Sequence, residues 1–364
     1  MALVDTFNTL TREYYQPGFP DNIYSKSAFW SEFVRGIQFG AGTKIRVPIE
    51  SARLGGAWYN EDGVIGLTTP EIATYAEFDW RYAVVPIQLS AQKVDLNAEA
   101  GTEQVLNLLD TYIKSAGKTM IDSHLGTDIY LDHFRDDPIY NLDGLFNMCQ
   151  ENAFNADDPG YYAAGYGGIL IADMPSWVAH VVRATGSAAT WTPVSCKVEV
   201  VRDLVNEIVH GGGTSYACGE QPSIIVTTPE VYGKLSRELY QVGYHETISR
   251  RSERLIAAGF NTFEIDNIPV VADEHCPGSA WAEAADAEPD AWNLTTGHQM
   301  FIVNFDYFFP KVVKKYNIQF DEWLKTAVAH NYTNRLFWWG NAVCTQRRAH
   351  GAIYNIDPTV LYDS

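Results

Sequence analysis

The sequence predicts an α+β fold, and three observations carry that prediction. Two segments, 102–125 and 195–210, have the three- and four-residue apolar spacing of helices buried on one side. Several others, among them 44–49, 78–90, 223–227 and 268–273, alternate or run apolar in the manner of strands. The two kinds are intermingled without the strict βαβα alternation of a parallel α/β sheet.

Residues 1–44 show weak periodicity broken by QPGFPDN at 16–22, and read as an extended arm with one helical turn in SAFWSEF at 27–33. The strand-like KIRVPI (44–49) and FDWRYAVVPIQLS (78–90) bracket about 28 residues with glycines, a Thr-Pro turn and no helical repeat. The whole of 45–92 therefore reads as a long hairpin excursion. It carries Leu54, Trp58, Tyr59, Val64, Ile65, Leu67, Ile72 and Tyr75, too apolar a set to be solvated comfortably. A two-stranded hairpin builds no core of its own, so these side chains are expected to lie against the same chain or a neighbouring copy.

From Thr102 to Leu125, the positions Val105, Leu108, Leu109, Tyr112, Ile113, Ala116, Met120 and Ile121 predict one helix of about 35 Å. Turn-rich stretches follow at 136–144 and 157–168. A second helix starts near Ser195, with Val198, Val201, Leu204, Val205 and Ile208 on one face and Gly211 to Gly213 ending it. PSIIVTTPEVYGKLSREL reads as a buried strand, Thr228 as N-cap, Pro229 at the first helical position, then a third helix. IPVVAD (268–273) is a strand, and the acidic, alanine-rich 279–298 reads as a surface insertion. QMFIVNFDYFFPKVVKKYNIQF and NRLFWWGNAVC read as two long strands. In the second, Leu336, Trp338, Ala342 and Cys344 share one face, while Phe337, Trp339 and Val343 share the other. Both faces are mostly apolar, which predicts a strand covered on two sides rather than a base-stacking surface.

With 364 residues the chain has length for two or three domains. Its 26 basic and 45 acidic residues give a net charge of -19, the wrong sign for a protein whose main task is gripping phosphate backbones. Five widely spaced cysteines without a C-x-x-C pair argue against a zinc ribbon and a disulfide framework, and for a reducing compartment. There is no export signal and no membrane-length apolar run, so a soluble protein is expected. The 21 tyrosines and 10 tryptophans fit either extensive interface or an aromatic-rich core.

No motif commits the chain to catalysis. HGGG at 210–213 resembles an esterase oxyanion loop, but no G-x-S-x-G accompanies it, and glycines ending a helix account for it. The glycine-rich FGAGTK (39–44) and GYGG (165–168) match no phosphate-binding loop. DEHC (273–276) lacks a second half at metal-ligand spacing. The cluster Asp122, His124, Asp128, Asp132 and His133 within 122–137 could offer a base or cation ligands; a solvated charged stretch accounts for it more simply. Accordingly no catalytic, cofactor-binding or metal residue is assigned.

Seven stretches, in order along the chain, carry a resemblance. They are DNIYSKSAFW (21–30), WYNEDGVIGLTTPE (58–71), AEFDWRYAVVPIQLS (76–90), GGILIADMPSW (167–177), SIIVTTPEVY (223–232), GFNTFEIDNIPVVADEHCP (259–277) and LFWWGNAVCTQRRAHG (336–351). With the arm, the long excursion and the long helix, they resemble the major capsid proteins of tailed bacteriophages, of the Hong Kong 97-type fold. The resemblance implies an N-terminal arm (1–44) and an extended loop (45–92). It further implies a peripheral domain with a spine helix (93–130 and 306–344) and an axial domain (131–305 and 345–364).

It also implies a virion shell subunit without enzymatic activity, forming hexamers and pentamers around double-stranded DNA held without sequence-specific binding. Expected partners are other copies of the chain, a portal protein and decoration or cement proteins. Leu54, Trp58, Tyr59, Val64, Ile65, Leu67 and Tyr75 would contact a neighbouring subunit. Arg347 and Arg348 would bridge to carboxylates within or between subunits, or lie near DNA. No lysine occurs between Lys44 and Lys93, so no lysine-mediated cross-link from this loop is expected. The arm-like match begins at Asp21; unless the chain is already processed, this predicts a scaffolding protein that is separate or absent. The alternatives are a cellular nanocompartment shell of the same fold, or a soluble metal-dependent enzyme using the cluster at 122–137.

Overall fold

The computed structural model describes residues 27–51, 58, 72–92, 108–130, 142–149, 165–170, 172–182, 194–211, 217–242, 250–257, 259–278, 297–321, 323–325 and 331–358. Helices and sheets are mixed, as the sequence predicts. Among the described residues, two sheets and one separate hairpin organise the chain.

The hairpin pairs β2 (Ile45–Glu50) with β3 (Ala73–Phe78), from Ile45 opposite Phe78 to Glu50 opposite Ala73. The strand read as 78–90 is therefore not the hairpin's second arm. The chain leaves the hairpin at Asp79 and Trp80, and β4 (Arg81–Ser90) joins a different sheet. That six-stranded sheet is centred on the 14-residue β14 (Asn331–Cys344), which is antiparallel to β4 over ten residue pairs. It also holds β1 (Gln38–Gly40), β11 (Phe308–Val313), β12 (Gln319–Phe320) and β13 (Leu324–Lys325).

The seven-stranded sheet runs β5 (His180–Val182), β15 (Gly351–Asp357), β10 (His298–Val303), β7 (Ile224–Thr227), β9 (Ile268–Ala272), β8 (Thr262–Ile265), with β6 (Val194–Ser195) also on β15. The stretch 299–320 is thus not one long strand. It breaks at Asn304, where the main chain crosses from one sheet to the other, and the Asn304 side chain accepts from Ser223 Oγ and Asp306 N at this corner. Asp266 and Asn267 take φ of 51° and 65° between β8 and β9, the two left-handed residues that a tight hairpin turn demands.

Helix α1 (Ala28–Phe33) is capped by Ser27, whose hydroxyl accepts from Trp30 N at 3.1 Å. The long helix appears as α2 (Leu108–Thr119), continued by a π-helical segment over Met120–Gly126. Ala116 and Met120 are buried four residues apart, but the next buried positions are Leu125 and Ile129. The wider π turn shifts the apolar stripe by one residue, which is why Ile121, expected on the core face, is exposed. Helix α3 (Leu145–Cys149) is short and fully buried.

α4 (Val198–His210) buries the five residues that the spacing picks out, and Gly211 at φ 74° ends it. It begins at Val198 rather than Ser195, because Ser195 pairs with Asp357 in the sheet and Glu238 accepts from Val198 N at 3.0 Å. α5 (Pro229–Val242) starts at its proline as expected; the Thr228 hydroxyl lies 2.9 Å from His298 Nδ1. α6 (Arg250–Ala257) completes the described helices.

The seven-stranded sheet is apolar on both faces. Ile225, Val270, Met300, Ile302 and Ile353 pack under α4 and α5, while Val226, Val271, Phe301, Ala352 and Tyr354 face α1 and α3. That second cluster continues into the inner face of the six-stranded sheet through Phe308, Val312, Leu336, Trp338 and Ala342. Each buried Val, Ile, Leu, Phe or Met in these clusters contributes about 1.5–3 kcal/mol relative to exposure.

Candidate functional site

In the hairpin, alternation sends Ile45, Val47, Ile49, Ala76 and Phe78 inward, onto Ile169, Met174, Trp177, Phe309 and Val343. Gly167, at φ 64°, closes against this face, and a Cβ there would stand 3.0 Å from that of Ala76 and 3.1 Å from the Phe78 ring. On the outer face, Arg46 Nε donates to Glu77 at 2.9 Å, with its guanidinium 5.0 Å from the centroid of the exposed Tyr75 ring. Lys44 also pairs with Glu77; its hydrogen bond holds the Glu77 carboxyl below the usual range.

The hairpin root is thus anchored on its own chain while Tyr75, Ile72 and Trp58 stay exposed, Trp58 completely. Leu54, Tyr59, Val64, Ile65 and Leu67 lie outside the described residues.

A second exposed apolar surface was not anticipated. Leu336, Trp338, Ala342, Val343 and Cys344 of β14 are buried, but Phe337 and Trp339 are only half-covered. Opposite them in register stand Val84 and Tyr82 of β4, the latter 61% exposed. Tyr316 stacks on Trp339 with ring centroids 3.7 Å apart, and Tyr82 meets Trp339 edge-on at 5.1 Å. Ile318 and Leu324 extend the surface, and the exposed Lys314, Lys315 and Arg335 add positive charge. The expectation of a strand covered on both sides holds for 340–344 and fails for 335–339, because the hairpin and the 166–177 segment cover only one end of this face.

The two arginines part company. Arg347 is 1% exposed, donates from Nε to Met148 O at 2.8 Å and from Nη1 to Trp177 O at 3.1 Å, and lies over the Tyr166 ring. Burial pulls its pKa below the ordinary value. Of the expected roles, within the subunit, between subunits or near DNA, the position of Arg347 speaks for the first: its Nε and Nη1 hydrogen bonds tie the carbonyls of Met148 and Trp177 together inside the fold. Arg348 is half-buried beside the Gln346 amide.

The two acidic-histidine clusters, read separately in sequence, meet in space. Asp273 Oδ2 accepts from Ser27 Oγ at 2.7 Å, Phe29 N at 3.2 Å and Tyr130 OH at 3.1 Å. Its Oδ1 takes His275 N and faces His275 Nδ1, both at 3.0 Å, while His275 Nε2 stands 2.9 Å from Asp122. Burial pushes Asp273 up, but hydrogen bonds from His275 and Ser27 outweigh it and leave the carboxyl below its ordinary value. The Asp273 contact in turn raises His275.

A carboxylate faces each ring nitrogen of this imidazole. Among the described residues no group of three or more His, Cys, Asp or Glu has metal-holding geometry. Of the 122–137 cluster, Asp132 and His133 lie outside the described residues. Sequence reading missed Asp273 as a hub, since its partners other than His275 are 143 to 246 residues away.

No family model matches the sequence, and no curated protein matches it. Solved structures do. A chain of the Cyanophage A-1(L) capsid asymmetric unit superposes with a TM-score of 0.68 at 14% identity, over 93% of this chain and 95% of its own. This is the Hong Kong 97-type capsid fold. The same capsid fold relates the chain to the SrpI encapsulin complex of Synechococcus elongatus PCC 7942, with a TM-score of 0.57 at 8% identity over 100% and 99% of the two chains. The capsid of Myoviridae phage XM1 matches at 0.51 and 12% identity, over 98% and 99%.

Proposed function

We propose that the chain is the major capsid protein of a tailed bacteriophage, a non-enzymatic shell subunit that assembles as hexamers and pentamers into an icosahedral head around double-stranded DNA. The observation that carries this reading is the near full-length likeness to a chain of the cyanophage capsid. In this reading 1–44 is the arm, 45–92 the extended loop, 93–130 with 306–344 the peripheral domain, and 131–305 with 345–364 the axial domain. Leu54, Trp58, Tyr59, Val64, Ile65, Leu67 and Tyr75 reach a neighbouring subunit, whose open aromatic face around Tyr82 and Trp339 supplies apolar area for such contacts. Arg348 serves at a contact between subunits.

Portal, scaffolding and decoration proteins are the further partners, and the virion is its location. The net charge of -19 suits a wall that lets DNA be packed and released rather than held. Electron microscopy of the purified full chain tests the reading: rings, tubes or closed shells support it, and monomers under every salt and concentration condition sink it.

The encapsulin likeness supports a second reading, a cellular nanocompartment shell. The contents of native particles discriminate: nuclease-protected DNA supports the phage head, and a protein cargo without DNA supports the compartment.

A further inference from the structure

Three stretches of chain meet at His275. The end of β9 brings Asp273 and Cys276, the π-helical segment after α2 brings Asp122, and Tyr130 reaches Asp273 from just beyond that segment. The root of α1 arrives through Ser27 and Phe29; its one carboxylate, Glu32, is engaged by Arg35 at 2.9 Å and Arg254 at 3.9 Å. Asp273 has four other donors to rely on. Asp122 Oδ1 is buried, accepts no well-formed hydrogen bond among the described residues, and stands 2.9 Å from His275 Nε2 as an ion pair when the ring is protonated.

We propose that His275 is a proton-dependent latch: its protonated ring ties the π-helical end of the long helix to the seven-stranded sheet, and loss of the proton releases the helix end. The asymmetry decides which side opens. A neutral imidazole has one N–H, and Asp273, held in place by the α1 root and Tyr130, keeps it on Nδ1. The Nε2 lone pair then faces the Asp122 carboxylate at about 3 Å, a repulsive contact in a half-buried setting. Asp122 and the π turn move away, while α1 stays bound to Asp273. A π turn is suited to this because its hydrogen bonding is already irregular. The latch acts within one subunit, so it stands whether or not the chain builds a shell.

Hydrogen exchange of the full chain, read by mass spectrometry from about pH 6 to about pH 9 and corrected for intrinsic rates, tests it. Protection of 119–127, taken relative to the 45–50 arm of the hairpin, is expected to fall severalfold as the pH rises through the imidazole titration. Asp122→Asn removes the repulsion and abolishes the fall; Asp122→Ser serves where the amide variant folds poorly. A flat profile in the unsubstituted chain overturns the latch, as does a fall that persists undiminished in the neutral variants.

Discussion

At the scale of single residues, polar groups buried far from water do structural work that the sequence presents as candidate chemistry. Arg347 looked like a phosphate or partner contact because arginine pairs on a polar stretch usually are. It is instead a donor to two carbonyls inside the fold. Arg347→Ala leaves those carbonyls without it and is expected to cost about 1–3 kcal/mol in denaturant unfolding. An unchanged midpoint would show that its hydrogen bonds are replaced by others.

His350 makes the complementary case. Burial first, then the nearby Arg347 charge, hold it down to about 3, and its Nδ1 accepts from Asn304 N at 3.1 Å. A histidine neutral in the fold and titrating at 6.5 when unfolded contributes stability that is fully present above 6.5 and is lost as pH falls toward 3. Its share of the acid limb has a slope of about 1.4 kcal/mol per pH unit. Urea midpoints between about pH 7 and pH 5 should fall less steeply in His350→Asn, whose Oδ1 can take the same backbone N–H. His275 has the opposite sign: its raised pKa gives stability present below the unfolded value and lost as pH rises through the folded one.

At the scale of elements, legibility followed how self-contained each pattern is. The five buried residues of α4 were readable because a single 3.6-residue period decides them. The hairpin was misread because β3, ATYAEF, mixes alanines into a weak alternation, and the break at Asp79 and Trp80 is invisible when 78–90 is taken as one run. The π turn was hidden for a similar reason, since its one-residue phase shift leaves Ile121 looking like a core position.

Of the candidate contact surface, the apolar surplus of 45–92 was legible from composition. The open face of β14 and β4 was not, since which end of a two-sided apolar strand is covered depends on the tertiary position of the hairpin. Val84→Glu with Tyr82→Glu should leave unfolding midpoints within about 1 kcal/mol, both sites being exposed. In the proposed role the same pair weakens assembly, which sedimentation reads directly; normal assembly would remove this face from the interface.

At the scale of the whole molecule, two sheets share one continuous apolar cluster, while the hairpin root sits on a separate one. In the proposed role, heterologous contacts between copies would bury the exposed apolar side chains in closed rings. Trp58, fully exposed, would in that role separate folding from assembly. Trp58→Asp should preserve the subunit's unfolding midpoint and block higher-order particles; assembly at the normal level would place the contact elsewhere.

The central claim, that this fold is here used to build a shell, is tested most directly by electron microscopy of the full chain purified across protein concentration and ionic strength. The account predicts five- and six-membered rings, tubes or closed shells. A single species of monomer under every condition would contradict it.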